Sequence, residues 1–278
     1  MVELEEVCRR AIEHVDARSI GGPIDSNLSV TLNFHPDRHA AGGITIQSMA
    51  SAGHYQSQFV TGTSAGGLTA HPGGDRWRWE SRIFGGAYDD AAPELRPTYG
   101  ALNFRRRTLG GSVRFGSAHV RLKPEALTRC TFCYPDSVFE PDDFGTATHM
   151  ALTDLALAGD QDPLDDYVEA QVHGPVRFDR DVEAVVLDPS FVATPVETAA
   201  VELGCPIEWH CGLVLDVATL RRHPDYRGQE FVDLGCHIAE SGVLTARVIG
   251  DASRSGQYDE QALKRVWHCV ARFGTPAA

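Results

Sequence analysis

In Tyr167-Val168-Glu169-Ala170-Gln171-Val172-His173, apolar Val168, Ala170 and Val172 alternate with Glu169, Gln171 and His173. Successive strand side chains point to opposite faces, so this spacing predicts a strand with Glu, Gln and His in a row on one face. Unpaired polar groups are costly to bury, so such a row makes a poor core and a good cleft wall. A carboxylate on that wall can hold a sugar hydroxyl and offset a developing positive charge. A solvated strand face would show the same pattern. A second candidate is His35-Pro36-Asp37-Arg38. Its imidazole and guanidinium can hold a phosphate or ribose by charge-assisted hydrogen bonds, unless the segment is only a surface turn.

The third segment is Tyr55-Gln56-Ser57-Gln58-Phe59-Val60-Thr61-Gly62-Thr63-Ser64-Ala65-Gly66-Gly67. Glycines let backbone approach a ligand closely, and small hydroxyls can orient a carboxylate. No Gly-Lys-Ser/Thr ending is present, so this is not a Walker P-loop, and it is not a Rossmann fingerprint. Asp75-Arg76-Trp77-Arg78-Trp79-Glu80-Ser81-Arg82, followed by Arg96, Arg105-Arg106-Arg107, Arg114, Arg121 and Lys123, is basic within an acidic chain. Interleaved Arg and Trp suit a pyrophosphate beside a stacked ring, single-stranded nucleic acid, or plain surface ion pairs around core tryptophans. Cys130-Thr131-Phe132-Cys133 has the spacing of half a zinc site, but no second pair follows. Cys205, His210, Cys211, Cys236, His237, His268 and Cys269 are too scattered to complete it, so no metal is assigned. No H-E-x-x-H occurs.

The elements that must position these groups follow from periodicity. Leu4, Val7, Cys8, Ile12 and Val15 predict an amphipathic helix over 3–17, stopped by Gly21-Gly22-Pro23. Residues 27–34 alternate as a half-buried strand, and Pro36 forces the chain out of the ladder. A short helix is expected near 44–52, and a strand from Tyr55 running into the glycine-rich turn. Residues 68–116 lack periodicity and read as a long, ordered surface segment, because Trp77, Trp79, Phe84 and Tyr88 want burial. Strands are expected at 117–122, 167–173 and 182–187, with an extended stretch at Cys130–Cys133. Helices are expected at 145–158, 195–203, 216–222, 228–240 and 259–272. The class is α+β: a single domain over 1–278, with an N-terminal helix (1–22), a core (23–192) and a helical C-terminal part (193–278).

The 278 residues carry a formal charge of −13, which argues against a dedicated duplex-DNA binder. No apolar run approaches the roughly 20 residues of a membrane span, and the acidic N-terminus lacks a signal-peptide pattern. Seven scattered cysteines fit a reduced, cytoplasmic setting with mostly buried thiols.

Ser57–Ser64, Arg96-Pro97-Thr98-Tyr99-Gly100-Ala101-Leu102-Asn103, Phe132–Ser137 and Tyr167–Gly174 together resemble a bacterial family of uncharacterised proteins over nearly the whole chain. More distantly, the order of a His- or Arg-bearing strand end, a Thr/Ser segment and a Glu-bearing strand is similar to the ADP-ribosyltransferase fold. There a split, mixed sheet cradles NAD, with Arg or His on the first strand, Ser-Thr-Ser or Tyr on the second, and Glu on a later one. The Glu strand followed by Val182–Leu187 also resembles the DNA-modifying toxins of that superfamily.

The resemblance implies an NAD-dependent ADP-ribosyltransferase or NAD glycohydrolase. Glu169 would hold the ribose, with Ser64 orienting it; His35 or Arg38, Thr61, Gly62, Thr63 and Gln171 would contact NAD; Tyr55 or Trp77 would stack on nicotinamide. Glu94 and Glu140 are weaker competitors for the carboxylate role. Glu169-Ala170-Gln171 reverses the Gln-x-Glu order of arginine-modifying members, so the acceptor does not carry over. The acidic charge balance favours a protein or single-stranded nucleic-acid acceptor over a duplex, and the resemblance implies an antitoxin or ADP-ribosyl hydrolase as a further partner. The rival readings are a non-catalytic NAD- or nucleotide-binding module and a Cys/His metal-dependent hydrolase.

Overall fold

The computed structural model describes residues 4–40, 42–62 and 68–277. Thr63 and Ser64 lie outside the described residues. Eight strands form one continuous sheet: β1 (Val30–Phe34), β2 (Thr98–Leu102), β3 (Ala118–Leu122), β4 (Cys130–Tyr134), β5 (Asp143–Thr146), β6 (Val168–Val172), β7 (Val182–Leu187) and β8 (Ile207–Trp209). Their order is β8-β7-β3-β1-β2-β6-β4-β5. All neighbours are antiparallel except β7 and β8, so the sheet is mixed but does not separate into two.

Register assigns the two faces. Thr31 lies opposite Ala101 and Arg121, Ala101 opposite Glu169, and Glu169 opposite Cys133. Paired residues share a face, so Leu32, Phe34, Leu102, Val120, Phe132 and Ala170 point the other way and form the main apolar core. Helices α2 (Thr45–Ala52), α4 (Leu152–Ala158) and α5 (Pro195–Val201) add Ile46, Met49, Leu152, Ala156, Val196 and Ala200 to that core. The opposite face is polar. Helix α1 (Glu6–Asp16) and helix α3 (Asp75–Ile83) close over its β4 end through Cys8, Ala11, Val15, Trp79 and Ile83, which pack with Cys133 and Phe144.

Three C-terminal helices follow: α6 (Gln229–Ile238), α7 (Ala246–Arg254) and α8 (Glu260–Phe273). Capping by Thr245 and Asp259, whose side chains accept from Val248 N and Ala262 N, starts the last two. Trp267 Nε1 donates to Val113 O at 2.9 Å and ties α8 to the turn before β3.

Several expectations need correction. β1 is buried on both faces, because helices and loops cover its polar side as well. The stretch 68–116 contains α3 and β2; β2 is a central strand, so both its faces are enclosed and no polar alternation marks it. Residues 145–158 are not one helix: β5 pairs with β4 first, and α4 begins only at Leu152. The strand at Tyr55 is two residues long, and a one-turn helix, Gln58–Thr61, replaces its continuation. α7, β5 and β8 were not expected.

Candidate functional site

The polar face is where the chemistry-bearing residues meet. β6 places Glu169, Gln171 and His173 on it in the expected row, but they line no open wall: Glu169 is only 5% exposed, and Gln171 and His173 are fully buried. The row is tolerated because its polar atoms are paired. Gln171 Nε2 donates to Glu169 Oε1 at 3.0 Å, and Thr131 Oγ1 donates to Gln171 Oε1 at 2.9 Å. Thr131 Oγ1 also lies 3.0 Å from His173 Nε2, and Tyr88 OH lies 2.7 Å from His173 Nδ1.

One proton arrangement satisfies this chain. Since Thr131 spends its proton on Gln171, His173 Nε2–H must donate to Thr131, leaving Nδ1 to accept from Tyr88. Burial, with Arg129 nearby, pushes the His173 imidazole down to about 3, so it is neutral as this arrangement requires. Every donor from Tyr88 onward points toward the Glu169 carboxylate.

The other carboxylate oxygen is held from the β4–β5 connection. Ser137 Oγ donates to Glu169 Oε2 at 2.7 Å, and Ser137 N does so at 3.3 Å. Arg76 Nη1, on α3, donates to Ser137 Oγ at 2.8 Å and stands 3.8 Å from Glu169 Oε1. Its guanidinium lies over the Tyr99 ring, 4.0 Å from the centroid. Tyr99, on β2 opposite Gln171, donates from its hydroxyl to Glu80 Oε1 at 3.0 Å. Arg96 Nη1 pairs with Glu80 Oε2 at 2.6 Å.

Burial nonetheless pushes the Glu80 carboxyl up to about 7 against the pull of Arg96. Burial and the neighbouring Asp136 likewise raise Glu169, although Arg76 and the hydrogen bonds from Ser137 and Gln171 favour its ionised form. Asp136 accepts from Tyr167 OH and from Val138 N. The adjoining Val138 and Phe139 are exposed.

Other expected contacts fall elsewhere. His35 sits at the end of β1 against Trp267, ring centroids 5.2 Å apart, and Arg38 pairs with Glu260 at 3.0 Å. Tyr55 packs edge-on against Phe34, which points into the apolar face, so it is on the wrong side of the sheet to stack on a ring at Glu169. Trp77 occupies a different side of α3 from Arg76 and Glu80. Thr61 Oγ1 donates to Ser57 O at 3.4 Å, and Gly62, at φ +67°, ends that helical turn in the left-handed region. Both therefore serve the turn.

The orienting serine among the described residues is Ser137. Arg76, Tyr99, Asp136 and Ser137 were missed as site residues. Arg76 stood in the Arg/Trp segment, and Tyr99 is a Tyr on a strand following the His-bearing one, hidden by the absence of alternation around it. Cys130 and Cys133, three apart on one strand, face opposite sides and cannot chelate one ion. Among the described residues no group of three His, Cys, Asp or Glu side chains is placed to hold a metal. No described helix is long and apolar enough to cross a membrane.

Comparison with known families matches residues 29–160 and 151–273 to a family described as "Protein of unknown function (DUF3626)". A comparison with curated proteins finds no match. The family matches span most of the sequence, and the chain belongs to this family.

Proposed function

We propose that this family member consumes NAD, breaking the bond between nicotinamide and ribose and passing ADP-ribose to a macromolecular acceptor or to water. The observation that carries the reading is the Glu169 carboxylate, held by Ser137 and Gln171 on the same sheet face as Tyr99 of the adjacent strand. β1, β2 and β6 lie side by side in the sheet. In chain order, His35 just past the end of β1, Tyr99 on β2 and Glu169 on β6 follow the His, Tyr and Glu order that the ADP-ribosyltransferase resemblance implies. Tyr99 thus takes the second-strand role first expected of Thr61–Ser64.

In this reading the nicotinamide nitrogen leaves with the bonding electron pair and becomes neutral. Positive charge develops on the ribose, where ionised Glu169 offsets it and accepts from a ribose hydroxyl. The acceptor's nucleophile supplies the new electron pair and releases a proton. A fixed charge of this kind is worth about 3–4 kcal/mol in the transition state. The cationic nicotinamide ring favours the ionised carboxylate, working against the burial that raises it.

The near-complete enclosure of Glu169, with Arg76 already beside it, favours a second reading: a nucleotide-binding module without turnover. Incubation with NAD labelled in its adenylate, with and without cell lysate, separates the two. Nicotinamide release with label left as ADP-ribose or attached to acceptor supports the enzyme. NAD bound by folded protein, with no nicotinamide above the buffer control in either arm, overturns it.

A further inference from the structure

Beside the carboxylate site lies a second group of unusual side chains that the proposed chemistry does not use. His268, one turn after Lys264 on α8, is fully buried, and neither ring nitrogen has a hydrogen-bond partner among the described residues. The Nε atoms of Arg114 and Arg227 are likewise buried without a partner. Three elements bring these groups together. The Trp267–Val113 bond sets the turn bearing Arg114 against α8. The one-turn helix Pro224–Arg227 packs on the same helix through Tyr226, whose ring is 5.0 Å from Phe273.

The fields of Arg114, Arg227, Lys264 and Arg265 all bear on His268; with burial, they hold its imidazole down to about 2. Lys264 falls to about 8 from burial and from Arg114 and Arg265. Carboxylates are near but engaged. Asp165 pairs with Arg114, while Asp162 accepts from Tyr226 OH at 3.1 Å and pairs with Arg272. Asp136 acts electrostatically on Arg114 and Lys264 as well as on Glu169, so the two sites adjoin.

Cations crowded around unpartnered donors are arranged for an anion that supplies several acceptors at once. We propose that Arg114, Arg227, Lys264 and the neutral His268 seat a diphosphate, the linkage of a dinucleotide whose nicotinamide ribose meets Glu169. Of the seat residues, Arg227 also lines a surface depression with Tyr226, Phe231 and Arg265, which offers aromatic rings to the adenine. Assigning the ligand to a dinucleotide rests on the function proposed above; the seat itself does not.

Calorimetric titration with inorganic pyrophosphate and with ADP-ribose tests it. Wild type binds both, Arg227→Gln and Lys264→Met each weaken both by about tenfold or more, and Glu169→Gln leaves pyrophosphate binding unchanged. The His268 ring resonances shift on adding pyrophosphate to wild type, a readout that needs no variant to fold. No binding of millimolar pyrophosphate by folded wild type, unmoved His268 signals, or unweakened binding by both variants overturns the seat. Pyrophosphate binding without nicotinamide release would sink the NAD reading and keep the seat. Nicotinamide release with an unchanged NAD dependence in both variants would do the reverse.

Discussion

Glu169→Gln preserves shape and removes one charge, so its effects can be worked through bond by bond. The Gln oxygen can still accept from Ser137 Oγ and Ser137 N, now at 2.7 and 3.3 Å from Glu169 Oε2. Its amide nitrogen then faces Gln171 Nε2, which donates to Glu169 Oε1 at 3.0 Å, so two donors meet. Turning Gln171 over would only move the conflict to Thr131, whose proton already points at the Gln171 oxygen. One buried donor is left unsatisfied, at about 1–3 kcal/mol, partly offset because a raised, desolvated carboxylate no longer has to be held. The protein should therefore fold with a modestly lowered melting temperature.

Turnover should suffer far more than stability in this variant. Losing about 3–4 kcal/mol of charge stabilisation slows the chemical step by about 10²–10³-fold. NAD binding should change little, because the diphosphate seat is untouched. The assay is nicotinamide release followed by chromatography, beside a thermal melt of the same sample. A folded variant releasing nicotinamide within about threefold of wild type would show that this carboxylate does not meet the developing charge.

Other outcomes follow from the same network. Ser137→Ala removes the shortest hydrogen bond to Glu169 and should shift the rising limb of the nicotinamide-release pH profile to higher pH; an unmoved profile would detach Ser137 from the carboxylate's ionisation. Tyr99→Phe keeps the ring under Arg76 and loses only the donation to Glu80, so it should cost about 1–3 kcal/mol of stability, and Tyr99→Ala about 3–5, read from denaturant midpoints. Arg76→Met leaves Glu169 buried without its cation and should cost about 3–5 kcal/mol at pH 8, less at pH 5, where Glu169 is protonated; equal losses at both pH values would argue against a charge effect.

Stability should also depend on pH. Burial lowers His35, His119, His173 and His268, whose contributions are present above about 6.5 and are lost as pH falls toward their folded values. Asp37, Glu80 and Glu169 are raised, so their contributions are present below about 4 and are lost as pH rises. Between about pH 4.5 and 6.5 the two groups oppose each other, at about 1.4 kcal/mol per pH unit for each residue; below that the histidines act together with Asp16, which hydrogen bonds from Thr146, Thr148 and His149 hold down to about 2. Urea midpoints should thus fall gently to pH 4.5 and steeply beneath it.

What the sequence determined by itself is the set of features with a short period. Leu28, Val30, Leu32 and Phe34, then Val168, Ala170 and Val172, mark strands and show which face each side chain takes, because backbone geometry alone dictates alternation. The helical spacing of Leu4, Val7, Cys8, Ile12 and Val15 does the same for α1, where Cys8 and Val15 are buried. What only the tertiary structure decided is which polar groups meet. Ser137 reaches Glu169 across 32 residues of chain, Tyr88 reaches His173 across 85, and Trp267 reaches Val113 across 154. Strand register and loop closure set those meetings, and neither leaves a local period. For the same reason Tyr99 went unread: its strand runs through the middle of the sheet, enclosed on both faces, so its neighbours carry no polar alternation. The polar row on β6 was legible as a row; that it is a buried, fully bonded chain rather than a cleft wall depended on α3 and the Ser137 turn closing over it.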